Sequence, residues 1–167
     1  MRVLVTAATK HGATAEIAGA IVDELTTAGI EAERRDPADV RDLAGFDALV
    51  IGSAAYMGHW LGDAKKLVDR VGPALEGRPV WVFSSGPVGD PPKPQEEPSD
   101  VAEVVESTHA RDHALFAGKI ERARLGPLEK AMMSALHVQD IDNRDWEAIR
   151  AWARGIAGEL RALPSRP

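Results

Sequence analysis

The sequence predicts an α/β fold: a doubly wound parallel sheet with helices on both faces, in three layers. Three observations carry that expectation. Short, continuous apolar runs stand at residues 3–5, 48–51 and 80–83, the pattern of strands buried on both faces. Longer segments with apolar residues at helical spacing alternate with them, which is the pattern of βαβ units. Each apolar run stops in a loop of small, hydroxyl or glycine residues, at 8–14, 52–60 and 84–92. In such sheets ligands bind beyond the carboxyl ends of the strands.

The elements follow in order. The first strand leads into a helix over 14–25, with Ile17, Ala18, Ile21, Val22 and Leu25 on one face and Gly29 as its stop. Residues 31–35 read as a short polar strand near a sheet edge. The buried strand 48–51 follows, then a helix over 61–71 closed by Gly72-Pro73. The strand 80–83 ends at Ser84-Ser85-Gly86-Pro87. Residues 87–100 are rich in proline and acid, and read as an irregular surface loop. Residues 115–118 read as the fifth strand. Residues 119–137 place Leu125, Leu128, Met132 and Leu136 on one helical face. This segment reads as a core-packing helix, with a substrate- or membrane-contacting helix as the alternative. The tail 145–163 is a helix with Trp146, Ile149, Trp152, Ile156 and Leu160 in one stripe. No repeat or change of composition divides residues 1–167, so one domain is expected.

Composition sets bounds. A chain of 167 residues suits one core, and 44% hydrophobic content with mixed charges reads as globular. The net charge of −6 argues against a nucleic-acid binder. With no cysteine, disulfides, thiol catalysis and thiolate metal sites are excluded, and a reducing cytoplasm is compatible. No apolar run has transmembrane length, and Met1 leads straight into the first strand without a signal-peptide pattern.

Chemistry concentrates in the loops. Thr9-Lys10-His11-Gly12-Ala13-Thr14 joins the first strand to a helix N-terminus, where unpartnered N–H groups and the helix dipole favour an anion. Thr9 and Thr14 add hydroxyls, and Gly12 permits close approach of a phosphate. An ordinary capped βα turn is the plain alternative. Neither GxGxxG nor GxxxxGK[ST] is present. The second loop, Gly52-Ser53-Ala54-Ala55-Tyr56-Met57-Gly58-His59-Trp60, offers aromatic and thioether faces to a flat ring, with glycines for close backbone donors. Alternatively, Tyr56 and Trp60 pack at a loop–helix junction.

The first loop resembles the T-x-x-G-x-T monophosphate loop of flavodoxins, which holds FMN. Val50-Ile51-Gly52-Ser53 and Gly58-His59-Trp60 resemble the flavodoxin-like branch that includes menaquinone-dependent protoporphyrinogen oxidases. Ala117-Gly118 after Leu115-Phe116, and Asp145-Trp146-Glu147 opening the last helix, are similar to further segments of that branch. The matches run in order over nearly the whole chain.

The resemblance implies a flavodoxin-like five-stranded sheet of order 2-1-3-4-5 and non-covalent FMN. By motif, Thr9, Lys10, His11, Gly12, Ala13 and Thr14 would bind the phosphate, with Lys10 either a counter-charge or an exposed loop lysine. Ser53, Ala54, Ala55, Tyr56, Met57, Gly58 and Trp60 would line one side of the isoalloxazine. Ser85, Gly86, Pro87, Val88 and Gly89 would line the other. Ala8 departs from the pattern, standing where the family usually has a hydroxyl residue. No aromatic residue lies between Phe83 and Phe116, so one ring face is expected to be open to a flat hydrophobic molecule.

The implied activity is FMN-dependent oxidation or reduction of such a molecule, with a quinone as redox partner. The location is cytoplasmic, or peripheral to the inner face of the membrane. The alternative is an electron carrier without a substrate of its own, docking a redox protein through its acidic 90–106 stretch. His59 reads as a plain loop histidine or as a catalytic proton donor beside the flavin. Arg122 and Arg124 would meet substrate carboxylates. His109 and His113 stand at i,i+4 but show no third ligand, so they read as a solvated pair and no metal site is expected.

Overall fold

The computed structural model describes residues 1–86, 96–137 and 139–164. Its strands and helices, in chain order, begin with β1 (Arg2–Ala8), α1 (Ala13–Thr27), β2 (Glu31–Arg35), β3 (Ala48–Tyr56) and β4 (His59–Trp60). They continue through α2 (Gly62–Val71), β5 (Val80–Ser85), α3 (Val101–Thr108) and β6 (His113–Phe116). The last are β7 (Lys119–Ile120), α4 (Pro127–Ala135), β8 (Ile141–Asp142) and α5 (Trp146–Ala162).

The main sheet runs β2-β1-β3-β5-β6, all parallel, with β4 added antiparallel to the end of β3. Leaving β4 aside, this is the expected 2-1-3-4-5 order. The polar β2 pairs only with β1 and so forms an edge, where half-exposed charged side chains are tolerated.

Strand alternation divides the core in two. Val3, Val5 and Ala7 of β1 face Ile17, Ile21 and Leu25 of α1 and Ile149, Ile156 and Leu160 of α5. Leu4 and Ala8 face the other layer, with Leu67 and Val71 of α2 and Val101 and Val104 of α3. Because helices cover both faces, β1, β3 and β5 read as unbroken apolar runs rather than as alternating ones.

Several elements differ from the sequence expectation. The helix α3 begins directly after the expected irregular loop; no element is expected there, although Val101, Val104, Val105 and Thr108 stand at helical spacing. The fifth strand starts two residues earlier, at His113. Residues 119–137 do not form a core-packing helix: α4 has no buried residue, and Leu128, Met132 and Leu136 are 78%, 58% and 67% exposed. The stripe is present but lies at the surface rather than in the core. In α5 the deeply buried positions are Ile149, Ala153, Ile156, Ala157 and Leu160, while Trp146 and Trp152 pack at the margin. Among the described residues, no helix is long and apolar enough to cross a membrane.

Candidate functional site

A cavity of about 300 Å³ opens at the carboxyl ends of β1, β3 and β5. Its floor comes from the first loop (Thr9, Lys10, His11, Ala13 and Thr14) and from Ala54, Ala55 and Tyr56 of β3. Ser85 and Gly86 close one side. The opposite wall belongs to the segment after β6, through Gly118, Lys119, Ile120, Leu125, Glu129, Met132 and Met133.

The first loop is organised around its own backbone. Thr9 Oγ1 accepts a hydrogen bond from the Gly12 amide at 2.9 Å. The first helical bond of α1 runs from Glu16 N to Gly12 O, and no side chain caps the helix. The amides of Ala13, Thr14 and Ala15 therefore precede the helical ladder, at the positive end of the helix dipole. Thr14 is buried and lines the cavity.

Two cations lie over this loop. Lys10 Nζ is 2.6 Å from Glu129 Oε1 and 3.7 Å from the centroid of the Tyr56 ring. Arg124 Nη1 donates to His11 O at 3.2 Å and stands 2.7 Å from where a Cβ on Gly12 would be. The space above Gly12 is thus filled by the tip of a flexible side chain. Lys10, the Gly126 N–H and His11 together hold the Glu129 carboxyl down at about 2, against the opposing effect of desolvation. The same Glu129 contact, with help from Tyr56, raises the Lys10 ammonium above its ordinary value.

A second ionic cluster fixes the wall to α1. The Arg144 side chain is only 3% exposed, lies 2.7 Å from both Asp142 and Glu16, and stacks at 4.5 Å on the Trp146 ring. Asp142 and then Glu16 raise its affinity for the proton, and Arg144 in turn lowers the Glu16 carboxyl.

The expected site residues fall into distinct places. Thr9, Lys10, His11, Ala13, Thr14, Ala54, Ala55, Tyr56, Ser85 and Gly86 line the cavity, and Gly12 lies beneath Arg124. Ser53, Met57, Gly58, His59 and Trp60 are not among the lining residues. Ser53 Oγ accepts from Leu61 N and donates to Ala54 O, which builds the local turn. Trp60 is buried and donates from Nε1 to Ser84 Oγ at 2.8 Å. His59 Nδ1 lies 3.0 Å from Ser99 Oγ and 3.7 Å from Asp100, on an exposed edge. Arg122 and Arg124 do not line the cavity either, and Arg122 is exposed and donates to Ser134 Oγ at 2.6 Å. Pro87, Val88 and Gly89 lie outside the described residues.

The second loop is a hairpin. Tyr56 pairs with His59 across Met57-Gly58, both at positive φ (52° and 79°), as a type I′ hairpin turn requires. Gly58 therefore serves this turn. Gly52 makes room for a ring instead, since a Cβ there would stand 2.2 Å from Phe83 Cζ. His109 and His113 are not a solvated pair. His113 is nearly buried, with Nε2 2.9 Å from Ser84 Oγ and Nδ1 3.2 Å from Glu97, while His109 ends α3 at φ 50°. Ser84 is fully buried, so this Ser–His–Glu chain presents no accessible nucleophile.

Glu129, Met133, Lys119, Ile120 and Arg144 were not anticipated as parts of the site or its frame. A signal for Glu129 exists in Gly126-Pro127-x-Glu129, a helix start with the acid at N3. Nothing local announces that it also reaches Lys10, 119 residues away in sequence.

Comparison with known proteins agrees with the fold. No curated protein sequence matches the chain. An archaeal flavodoxin structure aligns with a TM-score of 0.64 at 18% identity, over 96% of this chain and 99% of that one. A flavodoxin variant from Pseudomonas aeruginosa aligns at 0.62 and 16%, over 96% and 99%. Rubredoxin oxygen:oxidoreductase from Desulfovibrio gigas aligns at 0.67 and 13%, over 96% of this chain but 36% of that one. The flavodoxin-domain family model matches residues 4–146. With that match over most of its length, the chain belongs to the flavodoxin-domain family, whose members bind FMN.

Proposed function

We propose that the protein binds FMN in the cavity at the carboxyl ends of β1, β3 and β5, and uses it to oxidise or reduce a flat hydrophobic molecule, with a quinone as redox partner. The observation that carries the cofactor reading is the uncapped α1 N-terminus opening directly into an apolar cavity. The residues fit the group. Thr14 and the amides of residues 13–15 would hold its phosphate, together with the Lys10 and Arg124 cations. Tyr56, Ala55, Ser85 and Gly86 would hold its ring, with the Lys10 side chain withdrawn from the Tyr56 face it covers here. When bound, FMN supplies one- and two-electron redox chemistry, and the protein supplies position and electrostatics.

The finer reading, an activity like that of menaquinone-dependent protoporphyrinogen oxidases, draws on the wall. Leu125, Met132 and Met133 give the cavity an apolar side continuous with the exposed Leu128 and Leu136. Arg122 and Arg124 stand outside the cavity lining, so contact with the carboxylates of an acidic substrate requires them to act from its edge. His59 lies outside the cavity lining, so a proton-donating role requires it to act from the rim. A carrier function is the second reading, favoured by the exposed Tyr56 and Met57 beside the cavity mouth, which suit a protein surface.

The test is direct. The purified protein is expected to show a flavin spectrum and to release FMN, identified by mass. Thr9→Ala with Thr14→Ala should weaken FMN by a few kcal/mol at most, since backbone donors remain and a hydrogen bond to a charged group contributes about 1.5–3 kcal/mol. Unchanged affinity in the double variant would place the phosphate elsewhere.

A further inference from the structure

The segment between β6 and α5 has a fixed base and a lightly held tip. At its base, β7 and β8 pair antiparallel, Lys119 with Asp142 and Ile120 with Ile141. Arg144, itself nearly buried, ties this stem to α1 through the half-exposed Asp142 and Glu16, and Lys119 adds a 4.0 Å approach to Glu16. Beyond the stem the chain makes an excursion and returns. Its tip is α4, which contributes no buried residue to either core.

What holds α4 against the cavity is mainly charge. Glu129 is the central contact, with Oε1 taking both Lys10 Nζ (2.6 Å) and His11 Nε2 (3.3 Å) and Oε2 accepting from the Gly126 amide (3.0 Å). One carboxylate thus starts its own helix and grips the first loop. Arg124 adds an exposed tie to His11 O and Glu16. Leu125, Met132 and Met133 touch the cavity, but only as its lining. Half-exposed ion pairs contribute little to stability and weaken with salt, so a helix held this way opens far more readily than one packed in a core.

We propose that α4 is a strap across the cavity and that Glu129 is its clasp, a positioning residue whose release from Lys10 and His11 lets the cofactor in. The proposal rests on the FMN reading above. Opening at the tip exposes the floor formed by the first loop and Tyr56, while the stem keeps the strap in register. Because the clasp grips Lys10, closing the strap also fixes the loop's cation over Tyr56. Release of Glu129 therefore frees both the entry path and the charge that would meet a phosphate.

The experiment has two readouts. The first needs no flavin: hydrogen exchange of the α4 amides in the wild-type chain, Glu129→Gln, Lys10→Met and the reciprocal pair Lys10→Glu with Glu129→Lys. Exchange should quicken about fivefold in both single variants, recover only in part in the reciprocal pair, which restores the ion pair but not the acceptor for the Gly126 amide, and rise with salt more in the wild type than in either single variant. The second is stopped-flow binding of FMN to wild type and Glu129→Gln. Association should quicken and affinity should rise by a similar factor, because Glu129 holds Lys10 over the Tyr56 face that the ring needs.

Unchanged α4 exchange in Glu129→Gln and Lys10→Met, and with salt, overturns the clasp. Quicker exchange with unchanged FMN rates overturns the strap as an entry path. A wild-type chain that takes up no FMN at all removes the cofactor reading instead, a result separable from the other two. The salt series on the wild-type protein gives the exchange readout without any substitution, so it does not depend on a variant's folding.

Discussion

Lys10 shows how a partner far away in sequence decides what a side chain does. In the sequence it stood between a phosphate counter-charge and an exposed loop lysine. In the structure it joins Glu129 to the face of Tyr56. The effect is measurable on Glu129, whose carboxyl is held at about 2, chiefly by Lys10. Its folded value lies below the unfolded one, so its contribution to stability is complete above the ordinary carboxyl range. That contribution is lost as the pH falls toward about 2. A carbon-13 NMR titration of the Glu129 carboxyl should have its midpoint near that value. In Lys10→Met the midpoint should move up toward about 4.3, the reference for a free glutamate. An unmoved midpoint would show that Lys10 is not the main cause. The first loop's place at the cavity is legible because its features are local: hydroxyls, a glycine and a helix start within six residues. Glu129 was not, because its partner lies on another element, and no spacing encodes that meeting.

At the scale of elements, α5 and α4 make the contrast. Both carry an apolar stripe. In α5 the stripe is buried against β1 and α1, and Asp145 caps its start by accepting from the Ala148 amide at 2.9 Å. Stripe, cap and termination all point one way, and the helix was read within a residue or two of its bounds. Asp145→Ala should cost about 1 kcal/mol from loss of the cap. Ile149→Ala, in the same helix but fully buried, should cost about 2–5 kcal/mol from lost contacts and the cavity left behind. Urea unfolding of the two variants checks the order. Equal costs would mean that α5 is not the core element described. In α4 the same kind of stripe lies at the surface, with Met132 at the cavity, because periodicity reports that an apolar face exists but not what covers it. The second loop divides: Ala54, Ala55 and Tyr56 line the cavity, whereas Met57-Gly58 makes a hairpin turn and Gly52 makes room for the Phe83 ring.

At the scale of the molecule, exposed large apolar side chains concentrate around one opening. Of those among the described residues, Tyr56 lines the cavity and Met57 follows it, while Leu128, Met132 and Leu136 lie along α4, with Met1 the exception. A protein of net charge −6 thus presents, beside its candidate redox site, an apolar surface with Arg122, Arg124 and Lys130 close to it in sequence. Charge and apolar area act differently here. The cations favour an acidic molecule through directed, salt-sensitive contacts, whereas Leu125, Met132 and Met133 favour any flat hydrophobic one through burial. Reduced, FMN-loaded protein mixed with a menaquinone analogue should therefore be reoxidised faster than by oxygen alone, and that rate should change little with salt. An acidic porphyrinogen should reduce the oxidised protein, with a rate that falls as salt rises. Arg122→Ala with Arg124→Ala should slow the porphyrinogen more than the quinone. Stopped-flow absorbance of the flavin follows all of these reactions. If neither molecule reacts faster than the oxygen control and only a redox protein accelerates electron transfer, the apolar rim is a docking surface and the protein is a carrier.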